Sequence, residues 1–392
     1  MLRAYKYRLY PTRLQEIALQ QSFGCARWSY NWALETRIKH YAETGKTLSA
    51  YDLNKLMTYV KKEHTWLNNV SDWVLKEAIA NCCAAFQRFF EGNAAFPKFK
   101  TKRKSKKSAT FRRMRVEGNH VKLSKIGSVK FVKHREFTGE IKRITVSQNC
   151  SGAYYVSFLV EDGVSKKVCS ATPVKGVGID VGITHFCALS TGEVIENPKY
   201  FDKAQKKLAR EQRKLSRKER GSSRYEKQRI KVARAYEHVA NQRKDFQHKL
   251  SKRLVDENQV IAVEDLCIEG MLHNHKLACS IFDCAWSQFL SFLEYKCDWY
   301  GSDYLKCGRF EASSKVCSRC GHVEAYMPLA RRRWVCPSCN TEHDRDVNAA
   351  LNILKFAVAG TVNGRGGDVR RTNMQRYNAV LQYANSYEAS SL

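Results

Sequence analysis

Two cysteine pairs, Cys317-Ser-Arg-Cys320 and Cys336-Pro-Ser-Cys339, are separated by 15 residues. Two CxxC knuckles at this spacing can offer four thiolates, at about 2.3 Å each, to one tetrahedral zinc ion. Gly321 and Pro337 suit the tight turns that such knuckles need. Four sulfur ligands leave no open position for substrate, so the zinc is expected to be structural, without His343 or Cys307 as ligands. Other residues must then do the chemistry, and three acids stand out by context. Asp180 ends an apolar run between Gly178 and Gly182, Glu264 follows the run VIAV, and Asp346, with Asn348, opens the apolar stretch VNAALNIL. Asp344 is available as an N-cap for that stretch. Any of these acids alone reads as a cap or a solvated terminus. A strand-end Asp, a strand-end Glu and a helix-start Asp together in a basic chain are what two-metal phosphodiester hydrolysis requires. Two Mg²⁺ ions about 3.5–4 Å apart need flanking and bridging carboxylates, one ion activating water and the other steadying the leaving oxygen.

The bulk composition agrees with a nucleic-acid substrate. The 392-residue chain has 68 Lys+Arg against 38 Asp+Glu, a formal net charge of +30. Such an excess calls for a polyanionic partner, and phosphate backbones reward it through counterion release. An anionic membrane is the rival, but no apolar run approaches the ~18 residues of a span and the basic stretches lack a lipid-facing stripe. The start MLRAYKYRLYPTRLQ has no apolar core of a signal peptide. Fifteen cysteines then imply reduced thiols in a cytosol. Those away from the knuckles, such as Cys82, Cys83, Cys187 and Cys267, read as small buried hydrophobes.

Elements that could position the acids are legible from periodicity. Residues 2–10 alternate, with Tyr5, Tyr7 and Leu9 on one face, which is strand-like. Thr12 and Gln15 form a capping box for a helix through Leu14, Ile17, Ala18, Cys25, Trp28 and Trp32. Val70, Trp73, Val74, Cys82, Phe86, Phe89 and Phe90 mark a second helix. The basic run FPKFKTKRKSKKSATFRRMR, residues 96–115, reads as a solvated tail or a phosphate-gripping loop, and its place between folded segments favours the loop. Strands follow in KLSKIGSVKFV, GEIKRITVSQN and AYYVSFLVE, which with the first strand predict a small antiparallel barrel. KGVGIDVGITHFCALS reads as a hairpin, and residues 202–254 as a basic helical stretch broken at Gly221-Ser222-Ser223. QVIAVEDL is a buried strand ending in acids, SQFLSFLEYKCDWYG a helix, and DYLKC a short strand.

On these residues the chain resembles the TnpB family, compact transposon-encoded RNA-guided DNA endonucleases related to type V CRISPR effectors. GIDVG, VEDL and CSRC…CPSC…HDRDVNAALNIL carry the likeness. RLYPT, ARWSYNWAL, FPKFK, NPKYF and KLSRKERGSSRY extend it over residues 1–355. One departure is Asn340, where the family has Gly. Asn tolerates the left-handed turn that this position needs.

The resemblance implies a multidomain α/β plus β-barrel protein. A wedge-like barrel would span 1–10 and 96–165, with a helical recognition insertion at 11–95 and a linker at 166–174. An RNase H-like (RuvC) nuclease core would span 175–312 and 342–358, with the zinc ribbon inserted at 313–341 and a disordered tail at 359–392. It also implies Asp180, Glu264 and Asp346, rather than Asp344, as the Mg²⁺-binding catalytic triad. Asn54, Trp73 and Lys76 would read a motif beside the target, and Lys98, Lys100, Lys102 and Arg103 would grip the backbone. The implied partners are a guide RNA and double-stranded target DNA, one protein copy per complex, in the cytoplasm. Base pairing would carry most of the sequence specificity. A strand-transfer transposase using the same carboxylates and a catalytically silent RNA-guided DNA binder remain the alternatives.

Overall fold

The computed structural model describes residues 1–103, 105–112, 115–164, 174–309, 311–328, 330–364, 377 and 379–380. The linker expected at 166–174 lies outside them except for Val174. Two compact units emerge, Met1–Val164 with Gly221–Arg234, and the remainder of the chain. Among the described residues no helix is long and apolar enough to cross a membrane.

In the first unit, β1 (Leu2–Tyr10) leads through Pro11 into α1 (Arg13–Thr44). The Thr12 hydroxyl accepts from the Gln15 main chain while the Gln15 side chain accepts from Thr12, so the capping box is formed. Helix α2 (Ala50–Glu63), a 3-10 turn at Thr65–Asn69 and α3 (Asp72–Phe90) complete the insertion. The chain then returns to the sheet as β2 (Lys107–Phe111), β3 (Arg115–Glu117), β4 (His120–Leu123), β5 (Gly127–Val132), β6 (Glu140–Gln148) and β7 (Tyr154–Glu161). Alternation puts Tyr7, Leu9, Phe111, Phe131 and Phe158 in one core, each burial stabilising by roughly 1.5–3 kcal/mol.

Two expectations need correction here. The KSATF segment of the basic run is strand β2, because Ala109 and Phe111 turn inward against β6. The barrel is an open, curled sheet of order β2-β6-β7-β1-β5-β4-β3, in which the edge strands β2 and β3 do not close on each other.

The second unit begins with β8 (Gly176–Val181), β9 (His185–Leu189) and β10 (Val194–Glu196). Helix α4 (Tyr200–Ser216) and α5 (Ser223–Glu257) follow, the first turns of α5 belonging to the first unit. Next come β11 (Val260–Glu264), α6 (Ile268–Met271), α7 (Ala278–Cys284), α8 (Trp286–Tyr300), β12 (Asp303–Cys307), β13 (Arg333–Val335), β14 (Glu342–Asp344) and α9 (Arg345–Gly364). The sheet order is β10-β9-β8-β11-β12, with β8, β11 and β12 mutually parallel and the β8–β9–β10 pairings antiparallel. Buried on both faces, β8 and β11 read as continuous apolar runs. Val177, Ile179, Ile261 and Val263 face α5, α7 and α8, whereas Val260 and Ala262 face α9.

The tail expectation is corrected in part. Helix α9 runs on to Gly364, and Tyr377 and Val380 are buried in the α9 core beside Gly176.

Candidate active site

Three elements deliver the acids. The parallel register pairs Ile179 with Val263. One residue further along each strand come Asp180 and Glu264, which alternation directs to the same face of the sheet, and whose charges interact. That face is the one covered by α9, which carries Asp346 in its first turn. Gly178 permits the close approach, since a Cβ there would lie 2.0 Å from the Ala350 carbonyl oxygen of α9.

The result is a crowd of negative charge. Asp180, partly exposed, has its carboxyl pushed up to about 8, first by burial, then by the charges of Asp346 and Glu264, with Arg345 and Arg332 opposing. Burial also raises Glu264. Asp346 is held by Arg332, whose Nη1 donates to Oδ1 at 3.0 Å and Oδ2 at 3.2 Å. Carboxylate oxygens brought together in this way are a donor set suited to a hard divalent cation, which favours oxygen ligands and offsets the repulsion that Asp180 feels from its neighbours.

Asp344 has a different task. Its Oδ1 accepts from the main-chain nitrogens of Asp346 at 3.0 Å and Val347 at 3.1 Å. It is therefore the N-cap of α9, and Asp346 is left to face the strand ends.

The four cysteine sulfurs lie within 4.8 Å of one another, and among the described residues no other His, Cys, Asp or Glu group is as tight. Cys317–Cys339 and Cys320–Cys336 are each 3.6 Å apart, close to the ~3.8 Å edge of a tetrahedron with 2.3 Å zinc–sulfur bonds. The cluster therefore fits zinc. The Thr341 hydroxyl, 3.2 Å from Cys339 Sγ, helps lower that thiol to about 6. Gly321 (φ 78°) and Asn340 (φ 54°) occupy equivalent left-handed positions after each knuckle, as expected for Asn. His343 stays outside the sulfur set, its Nε2 3.0 Å from Cys317 Sγ.

The residues expected to touch nucleic acid are more dispersed. Lys98, Lys102 and Arg103 are exposed. Lys100 is not a match for them. Its ammonium lies 3.6 Å from the Tyr30 ring centroid, burial lowers its pKa, and Asn31 bonds its main-chain N and O. Lys100 thus docks the loop onto α1. Trp73 has the Lys76 ammonium 5.3 Å and the Arg112 guanidinium 5.5 Å from its ring centroid. Asn54 donates to Ala50 O of its own helix at 2.7 Å.

Sequence reading missed two features. Arg332 gave no signal, because its partner is set by the hairpin. On α4, however, Lys203, Lys206, Lys207, Arg210, Arg213 and Lys214 are all exposed. At 100° per residue they fall within about a third of the helix circumference. Ala204, Leu208, Glu211 and Leu215 form the inward stripe. That spacing was available as a signal.

Comparison with known proteins places nearly the whole chain among relatives. A family profile described as "Probable transposase" matches residues 157–275, and one described as "Cas12f1-like, TNB domain" matches 286–353. A third, "Helix-turn-helix domain", matches 1–46, which here fold as β1 and the single helix α1. A protein of Streptomyces pristinaespiralis named "Putative RNA-guided DNA endonuclease" is 39% identical, over 93% of this chain and 91% of its own. The Escherichia coli (strain K12) protein "Putative RNA-guided DNA endonuclease InsQ" is 31% identical, over 90% and 92%. Among solved structures, a Cas12f1–sgRNA–target DNA complex aligns with a TM-score of 0.57 at 16% identity, covering 90% of this chain and 98% of that one, which shows a shared fold. With relatives this similar over nearly its whole length, the chain belongs to the TnpB family.

Proposed function

We propose that this protein is an RNA-guided, Mg²⁺-dependent double-strand DNA endonuclease of a transposable element, with a RuvC-type site that cuts both strands in succession beside a short adjacent motif. The observation that carries the reading is the raised carboxyl of Asp180, which shares its surroundings with Glu264 and Asp346. Asp180, Glu264 and Asp346 would hold Mg²⁺, which when bound supplies an activated water and charge neutralisation at the leaving oxygen. The chain's own contribution would be to hold two carboxylates at the ends of adjacent interior strands and a third on the helix packed over them.

Relatives named as RNA-guided endonucleases support the guide and target as partners. The net charge of +30 supports a wide phosphate-holding surface. In this reading the α4 stripe, Lys98, Lys102 and Arg103 track backbones, while Asn54, Trp73 and Lys76 face the target-adjacent motif. The test is to purify the protein from its host and sequence the RNA that accompanies it. A discrete structured transcript ending in variable sequence is expected; random cellular fragments would overturn the guide.

The description "Probable transposase" favours a second reading, strand transfer by the same carboxylates. A transposase would act on element ends without bound RNA, so RNA dependence of cleavage separates the two.

A further inference from the structure

Helix α9 is buried on two faces. Ala350, Ile353, Leu354 and Ala357 meet the sheet, whereas Asn348 and Asn352 meet the first cysteine knuckle and are only 1% and 2% exposed. Asn348 Oδ1 accepts from Ser318 N at 2.9 Å, and its Nδ2 donates to Val316 O at 2.8 Å. Asn352 Nδ2 donates to Ser313 O at 2.7 Å and Val316 O at 2.6 Å. One turn on, Lys355 Nζ donates to Ser318 O at 2.6 Å. Residues 348, 352 and 355 form one helical row. These five bonds all go to main chain within 313–318, the segment that holds Cys317. From the other side His343, on the strand that runs into α9, touches Cys317 Sγ.

The Asn348 amide carries a carbonyl acceptor for Ser318 N and an NH₂ donor for Val316 O, spaced to reach both at once, and the Asn352 amide donates to two carbonyls. An apolar residue at 348 would take this acceptor from Ser318 N, and one at 352 would take this donor from Ser313 O, while Val316 O would keep one of its two amide donors in either case. The conformation of residues 313–318 is in turn imposed by the knuckle, where Cys317 N donates to His322 O at 2.8 Å and Gly321 N to Cys317 O at 2.9 Å.

We infer that Asn348 and Asn352 are positioning residues, which fix the first turns of α9 to the four-cysteine centre and thereby set Asp346 against Asp180 and Glu264. The carboxylate site and the sulfur site are then energetically coupled, and the coupling is reciprocal. This rests on the proposed reading of Asp180, Glu264 and Asp346 as divalent-cation ligands.

The test measures Mn²⁺ affinity by calorimetry on the full chain, with zinc content measured in parallel. Wild type, Asp180→Asn, Asn348→Ala, Asn352→Ala and zinc-stripped wild type are compared, each checked for native circular dichroism. Loss of an outer-shell partner typically weakens metal binding 10–100-fold. Asn352→Ala with its zinc retained should bind Mn²⁺ about tenfold more weakly, and stripping zinc from wild type should do the same. Unchanged Mn²⁺ affinity in zinc-loaded Asn348→Ala and Asn352→Ala would overturn the inference. Should neither variant fold, the zinc-stripped wild type decides, and an unchanged affinity there overturns it too. If wild type and Asp180→Asn bind Mn²⁺ equally, the carboxylate reading itself fails, a different result from an intact site that ignores the clamp.

Discussion

Arg332, one residue before β13, grips both carboxylate oxygens of Asp346 through a single guanidinium nitrogen, at 3.0 and 3.2 Å. This cation competes for the oxygens that a divalent ion would use. Exposed pairs of this kind contribute about 0–1 kcal/mol. Arg332→Gln should therefore tighten Mn²⁺ binding by about two- to fivefold in titration calorimetry. Weaker binding would mean that Arg332 organises the site instead of screening it.

Asp180→Asn, Glu264→Gln and Asp346→Asn should each lower DNA cleavage by on the order of 10³-fold, since a metal's transition-state stabilisation is worth several kcal/mol. Nucleic-acid binding should survive in all three. Single-turnover cleavage assays beside filter binding would read both, and near-normal cleavage by any one variant excludes that residue.

The raised carboxyl of Asp180 has a sign that can be checked. Its folded value of about 8 exceeds the unfolded one, near 3.9, so the native state binds more protons between the two. Stability of chelator-treated protein should thus fall as pH rises from about 4 to about 8. In Asp180→Asn this fall should be blunted, with a melting temperature above wild type at pH 8 and the gap closing toward pH 4. Parallel melting curves at every pH would contradict it.

Gly178→Ala forces a Cβ to within 2.0 Å of Ala350 O. Overpacking of this sort costs about 1–3 kcal/mol. Urea melts should show the loss, and Mn²⁺ affinity should drop as α9 lifts from the strand ends. A full recovery of both by backbone adjustment would show that the approach is not required.

Replacing Lys203, Lys206, Lys207 and Arg210 with Gln should leave folding intact, because all four are exposed. The slope of log affinity for nucleic acid against log salt should become shallower by about 0.7–0.9 for each phosphate that is no longer neutralised. An unchanged slope would reduce the stripe to a solvated surface.

Much of this molecule is readable from local pattern. The runs ending at Asp180 and Glu264 are apolar because both faces of the sheet are covered, and Thr12 with Gln15 announces a helix start. Other parts depend on distant partners. Helix α2 is not one of these, since Leu53, Leu56, Met57 and Val60 stand at i, i+3, i+4 and i+7, a helical period that the sequence already carries. Strand β2 hides in a lysine-rich run, with Ala109 and Phe111 alone marking its inner face. Lys100 looks like its neighbours until Asn31 and Tyr30 of α1 are placed against it. Tyr377 and Val380 are at helical spacing and have helical backbone, but only the fold brings Val380 beside Gly176. In the candidate site, strand-end acids could be found by position, whereas the Arg332 partner of Asp346 exists only once the β13–β14 hairpin closes.

Strand β14 ends at Asp344 and helix α9 begins at Arg345, with no spacer between them. Deleting or inserting one residue between Cys339 and Asp346 would have to be absorbed in β14, slipping its pairing with β13 by one and turning His343 away from Cys317. Length drift during evolution is thus barred from this short join and must accumulate in the segment between Cys320 and Cys336. Homologous chains should vary freely in the one interval and hold a constant count in the other.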